Sequence, residues 1–182
     1  MGYIERYIYL PTLKERMEFI REILGGKDVL YLSSDGSTFY AAVDCGLENK
    51  AYVVHTYQKT NPHYAGDYRF GYKVECETAG PHRWKAPRRL LDLLTPTSNE
   101  LAIEWRKKCE RTLLNRARLK SLPIGTRIQI KDSACDDLFC IKKGNGRLWV
   151  NEHRTLFVPF AQLIQHDLLI LGVDPRFVQK IH

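Results

Sequence analysis

The stretch from Leu90 to Lys120, LLDLLTPTSNELAIEWRKKCERTLLNRARLK, constrains the fold most, because it is the longest segment that reads as one kind of element. Leu90 to Leu94 forms an apolar turn that Pro96 stops, since a proline ring disfavours helical geometry in the residue before it. A new helix then begins. Thr97 or Ser98 supplies a capping hydroxyl, and Glu100 and Glu104 occupy the first turns, where the positive end of the helix dipole favours acid. At about 100° per residue, Leu101, Ala102, Trp105, Cys109, Leu113 and Leu119 share one broad face, with Lys107, Arg111 and Arg118 on the opposite one.

This helix also concentrates charge. Between Arg106 and Lys120 stand seven Lys or Arg and one Glu, a local balance of +6 against +7 for all 182 residues. Such a run is either a solvated outer face or a ridge that tracks phosphates. The basic surplus draws the chain to polyanions, although charge alone gives only non-specific attraction.

The remaining sequence predicts an α+β fold: an antiparallel sheet packed with two main helices over residues 1–120, then a small all-β, barrel-like subdomain over residues 121–182. Met1 to Leu10 alternates Ile4, Arg6, Ile8 and Leu10 against Tyr3, Glu5, Tyr7 and Tyr9, which suits a strand. Thr12 and Glu15 make a capping box, opening a helix with Leu13, Met17, Ile20 and Leu24 at helical spacing, which Gly25 and Gly26 end. Strands are expected at 29–33, 38–44, 51–57 and 67–76, the first two joined by a tight turn at Asp35-Gly36. In the last of these, Tyr68, Phe70, Tyr72, Val74 and Cys76 point toward the helices, and Arg69, Lys73 and Glu75 point away. After the linker Ser121 to Gly125, short strands are expected at 126–131, 138–143, 147–151, 155–160 and 168–173, with a hairpin at Lys143 to Gly146.

Several classes of function lack support. No apolar run approaches the ~20 residues that span a bilayer, and the charged start is not a secretory signal, so a cytoplasmic protein is expected. Five cysteines without zinc-like spacing read as reduced packing thiols. Asp35, Asp44, Asp67 and Glu75 lack the convergent pattern of a metal-dependent nuclease, and no phosphate-binding glycine loop or nucleophile elbow is present. Neither a metal nor a cofactor is expected.

Two loops carry candidate chemistry. In GPHRWKAPRR, residues 80–89, Arg83, Trp84, Lys85, Arg88 and Arg89 combine cations with an indole, which suits holding phosphates while the ring stacks on a base. Trp84 fills that role if it is exposed, and is a packing residue if it is buried. Metal-free RNA cleavage needs a base for the 2′-hydroxyl, an acid for the leaving oxygen and a cation at the phosphorane. His55, Lys59, His63, Tyr64 and Arg69 supply that inventory if they meet at one sheet edge.

Residues 70–126 carry a resemblance. The run from Phe70, Gly71, Tyr72 and Lys73, through Glu77 and Gly80-Pro81, to LLDLLTPTSNELAIEWRKKC and LPIGTRI resembles an uncharacterised domain family carried by phages, plasmids and conjugative elements of Gram-positive bacteria. In length and general character the chain is also similar to type II anti-CRISPR proteins. That resemblance implies an inhibitor acting in the host cytoplasm on an RNA-guided effector nuclease and its guide RNA, by blockade or by promoting cleavage of the guide. The alternative is a non-enzymatic nucleic-acid-binding accessory protein of plasmid maintenance or transfer.

Overall fold

The computed structural model describes residues 2–60, 68–131, 138–144, 149–151 and 157–178. They form two compact units, Met1–Lys107 and Lys108–His182, each with a five-stranded antiparallel sheet. The composition change after Lys120 suggested a boundary there; the units divide between Lys107 and Lys108, inside the long helix.

The first unit runs β1 (Ile4–Arg6), α1 (Leu13–Ile23), β2 (Val29–Asp35), β3 (Thr38–Asp44), β4 (Asn49–Thr60), β5 (Tyr68–Cys76) and the short α2 (Arg88–Leu91). It ends in the first turns of α3 (Glu100–Ser121), and its strands lie in the order β1-β5-β4-β3-β2. Thr12 caps α1 in the predicted box: its hydroxyl accepts from the Glu15 amide, and its own amide donates to the Glu15 carboxylate. The Asp35-Gly36 turn joins β2 to β3 with Gly36 at φ 64°, a conformation that costs glycine nothing. Strand alternation separates the two sheet faces. Phe39, Ala41, Val43, Val54, Phe70 and Tyr72 pack with Ile20, and Phe19 of α1 sets its ring edge-on to Phe70 and Tyr72. Tyr40, Ala42, Ala51 and Val53 point the other way and are buried as well, with α2 against β3.

The long helix starts one or two positions later than the hydroxyl reading of Thr97 or Ser98 placed it. Asn99 is the cap, its side-chain oxygen accepting from the Ala102 amide at 3.0 Å, while the Thr97 hydroxyl accepts from the Asn99 amide. Its buried stripe is Ala102, Trp105, Cys109, Thr112, Asn115 and Leu119; Leu101 is 49 % exposed and Leu113 only half-buried. Two polar residues thus replace two expected leucines. Thr112 returns its hydroxyl proton to the Lys108 carbonyl within the helix, and Asn115 donates to the Ile164 and His166 carbonyls.

The second unit continues with β6 (Thr126–Ile130), β7 (Leu138–Lys142), β8 (Trp149–Asn151), β9 (Phe157–Val158), α4 (Phe160–Leu163), β10 (Leu168–Val173) and α5 (Pro175–Val178). The sheet order is β10-β6-β7-β8-β9. The expected barrel is not closed, since β9 and β10 stand at opposite ends of the ladder. Pro159 gives the physical reason. It has no amide proton for a ladder, and it caps α4, so Phe160 belongs to a helix rather than to the strand expected at 155–160. Leu119, Ile128, Ile130, Cys140, Trp149 and Leu163 make the core. Asn145 and Gly146 of the expected hairpin lie outside the described residues. Among the described residues, no helix is long and apolar enough to cross a membrane, and Cys45, Cys76, Cys109 and Cys140 are free thiols.

Candidate nucleic-acid interface

Cross-strand register on the first sheet lines up Asp35, Thr38, His55 and Lys73 as successive partners across β2, β3, β4 and β5. Tyr40, Val53 and Glu75 form the next row on the same face. The two rows meet in a charged cluster: Glu75 bonds His55 Nε2 at 3.1 Å through one oxygen and Lys73 Nζ at 2.5 Å through the other. Burial pushes the Glu75 carboxyl up, but the Lys73 ammonium, with help from His55, outweighs it and holds the group below its usual range.

The basic loop lies beside this face. Two indoles fix its path: Trp84 Nε1 donates to the Pro81 carbonyl at 3.0 Å, and Trp105 Nε1 donates to the Arg83 carbonyl at 2.9 Å. Trp84 is half-buried and its N–H is engaged within its own loop, so its first role is to shape that loop. Lys85 reaches across to Asp35 at 2.8 Å. Together the Asp35–Thr38 turn, Tyr40, Arg83 and Lys85 line a cleft of about 310 Å³. Arg83, Arg88 and Arg89 are exposed; Arg88 and Arg89 form the first turn of α2 rather than a loop, and the Arg89 guanidinium lies 5.3 Å from the centre of the Tyr31 ring. A guanidinium, an ammonium and hydroxyls around a small cleft can hold a phosphate oxygen, and Asp35 can accept from a sugar hydroxyl.

The proposed cleavage set does not gather at one point. His63 and Tyr64 lie outside the described residues. Lys59 and Arg69 are cross-strand partners on the same face as His55, but four residues along the strand from it, on the order of 13 Å at strand rise. Lys59 stands over the Tyr57 ring at 5.0 Å, and Arg69 stands over the Tyr7 ring at 5.2 Å and beside Glu5 at 3.8 Å. The isolated carboxylates have local duties: Asp44 accepts from the Gly46 amide, and Asp35 and Glu75 pair with lysines. Asp67 lies outside the described residues.

The helical ridge is thinner than its sequence suggested. Lys107, Arg118 and Lys120 are exposed, whereas Arg111 is half-buried and donates through Nη2 to the Gln165 carbonyl at 3.1 Å. Its position one helical turn before buried Asn115 explains the inward lean. Arg106 also turns inward. It grips Glu77, 1 % exposed, through two bonds of 2.6 and 2.7 Å and donates to the Thr95 carbonyl at 2.7 Å. Sequence reading gave no hint of this pair, because nothing local distinguishes Glu77 from a solvated acid. A feature with a local signal was Gly71, a glycine inside a strand, where a side chain would meet the Tyr57 ring.

No family model, curated protein or solved structure matches the chain.

Proposed function

We propose that the chain is a mobile-element protein that inhibits an RNA-guided effector nuclease by binding the effector together with its guide RNA, without cutting that RNA. The resemblance over residues 70–126 motivates the mobile-element setting, and the likeness in length and general character to type II anti-CRISPR proteins motivates the partner. The observation that carries the binding reading is the position of Arg83 and Lys85 in the lining of one cleft, with exposed Arg88 and Arg89 following on α2. Blockade is preferred over cleavage because His55, the described base candidate, is tied to Glu75 and separated from Lys59 and Arg69.

Incubating the protein with effector and guide, then analysing both the guide and a DNA target on denaturing gels, tests this. Loss of DNA cutting with a full-length guide is expected, and Arg83→Ala/Arg88→Ala/Arg89→Ala should restore cutting. A shortened guide would replace blockade by nuclease action, and undiminished cutting at excess protein would end the proposal. The accessory-factor reading draws on exposed Lys107, Arg118 and Lys120. It expects nucleic-acid binding without the effector, with the log–log salt slope reduced by roughly 0.7 for each single-strand phosphate that a substitution leaves without its cation.

A further inference from the structure

The open end of the first sheet, away from the basic loop, carries an arrangement that neither the cleft nor the ridge uses. On β1 and its flanks, Tyr3, Glu5 and Tyr7 alternate onto the face that also holds Tyr57, Lys59 and Arg69, as the pairings Glu5 with Gly71, Tyr57 with Gly71 and Lys59 with Arg69 require. The middle strand of the three has no side chain at Gly71. A β-carbon there would run into the Tyr57 ring, so the ring lies across the bare backbone of β5 and extends its hydroxyl to the Glu5 carboxylate on β1. Anchored at both ends, that ring has little conformational freedom left to lose.

Around it, Tyr3 packs at 5.1 Å between ring centres and is 50 % exposed; Tyr7 is 76 % exposed beneath the Arg69 guanidinium. Two exposed tyrosine rings beside a fixed third give this edge a concentration of aromatic surface, with each ring presenting an apolar face and a polar tip. The Glu5 charge is met by Arg69 and by the Tyr57 hydroxyl, which leaves the exposed Lys59 ammonium to set the sign of the patch. Fixed aromatic faces interleaved with cations match the chemistry of unpaired nucleobases on a phosphate backbone: each base has a π-face to stack, and each phosphate needs a cation. The sign of the charge favours a polyanion over an apolar protein segment.

We propose that this β1–β5–β4 edge is a stacking platform for the unpaired bases of a single-stranded nucleic acid, with Tyr3 and Tyr7 as stacking rings, Tyr57 as the fixed seat between them, and Lys59 at a phosphate. The inference rests on the nucleic-acid part of the proposed function but not on the basic loop or on any effector.

The test is fluorescence anisotropy with an end-labelled oligoadenylate of about ten nucleotides, a length within single-strand site sizes, titrated with the full chain at about 50 mM salt, where phosphate contacts are strong. Tyr3→Ala/Tyr7→Ala should weaken binding by roughly tenfold or more, and Tyr3→Phe/Tyr7→Phe should restore it, because stacking needs the ring and not the hydroxyl. Both positions are exposed, so neither change threatens the fold. Unchanged affinity in the alanine pair, with affinity abolished by Arg83→Ala/Arg89→Ala, would overturn the platform while leaving the basic-loop reading intact. Oligoadenylate binding that depends on the two rings, found together with undiminished DNA cutting by the effector, would uphold the platform and end the inhibitor reading. No binding by the unaltered chain would overturn the platform outright, and so would a loss of binding that the phenylalanine pair does not restore.

Discussion

In residues 1–107 a buried carboxylate meets a guanidinium, whereas in residues 108–182 a buried ammonium meets, among the described residues, backbone carbonyls. Glu77 accepts two bonds from Arg106 and one from the Ala51 amide, so both of its oxygens are engaged. Lys142, 2 % exposed, donates to the carbonyls of Leu119, Lys120 and Leu122 at the carboxyl end of the long helix. A helix leaves its last carbonyls without intrahelical partners and carries partial negative charge there, so three ammonium protons fit three orphan acceptors. Burial nevertheless pulls the Lys142 pKa down, since dipoles compensate a lost hydration shell less fully than an opposite charge does. The first device ties together the β4 strand, the turn after β5, the Thr95 segment and the helix; the second closes one helix end onto one strand.

The contrast can be broken most forcefully at Glu77. Glu77→Ala leaves the Arg106 guanidinium without its counter-charge and the Ala51 amide without its acceptor, and should cost about 3–5 kcal/mol, the usual penalty for removing one partner of a buried pair. Hydrogen exchange followed peptide by peptide is the suitable readout, because it reports each unit separately. Protection should fall across residues 49–107 and hold in the second sheet. An unchanged exchange pattern in the first unit would show that water replaces the carboxylate freely, and that the pair is not what ties these segments together.

Lys142→Met sharpens the comparison from the other side. The aliphatic stem is kept, three carbonyls lose a charged donor, and the desolvation cost that depresses the lysine is relieved. The net loss should be about 1–3 kcal/mol, the range for hydrogen bonds to charged groups and for unsatisfied buried polar atoms. Its effect should stay within the second unit and fall below that of Glu77→Ala. A larger loss than at Glu77 would mean that the helix end, and not the ion pair, is the more demanding of the two solutions.

Much of the fold was legible because it follows from local chemistry. The Thr12–Glu15 box, the Asp35-Gly36 turn and the alternation through Tyr68, Phe70 and Tyr72 each need only residues a few positions apart. What escaped depended on distant partners. Arg106 and Arg111 read as part of a solvated ridge because their carboxylate and carbonyl partners lie 29 and 54 positions away. The same limit applies to the sites. Cationic residues at 83–89 announced themselves in sequence, but the cleft is completed by the β2–β3 turn, whose Asp35 meets Lys85 across 50 positions. Tyr3, Glu5 and Tyr7 were visible as one side of an alternating strand, yet only the pairing of β5 with both β1 and β4 brings them beside Tyr57, whose ring lies over Gly71. Leu113 was misplaced because the helical wheel weighs hydrophobicity alone, while Thr112 and Asn115 offset their burial with bonds to carbonyls.

The smallest effect expected is also one that separates the units by pH. Glu75 in the first unit and Asp174 in the second both sit below their ordinary ranges. For Glu75 the opposing push of burial is overcome by Lys73 and then His55; for Asp174 the side-chain and backbone bonds from Arg176 hold the carboxyl at about 2. A carboxylate whose folded pKa is depressed contributes stability that is complete above its unfolded value and is lost as pH falls through the folded one. Both contributions are therefore present at neutral pH and start to fade below the ordinary carboxylate values of 4.5 and 3.8, with that of Asp174 persisting until about pH 2. Glu75→Gln should flatten the acid limb of stability in the first unit alone, and Asp174→Asn that of the second. Urea midpoints taken between neutral and strongly acidic pH, paired with exchange in each unit, would show it. If Glu75→Gln left the first unit's acid limb unaltered, the Lys73–Glu75–His55 cluster would contribute nothing as a charged assembly. Its place on the sheet would then reflect side-chain packing rather than charge.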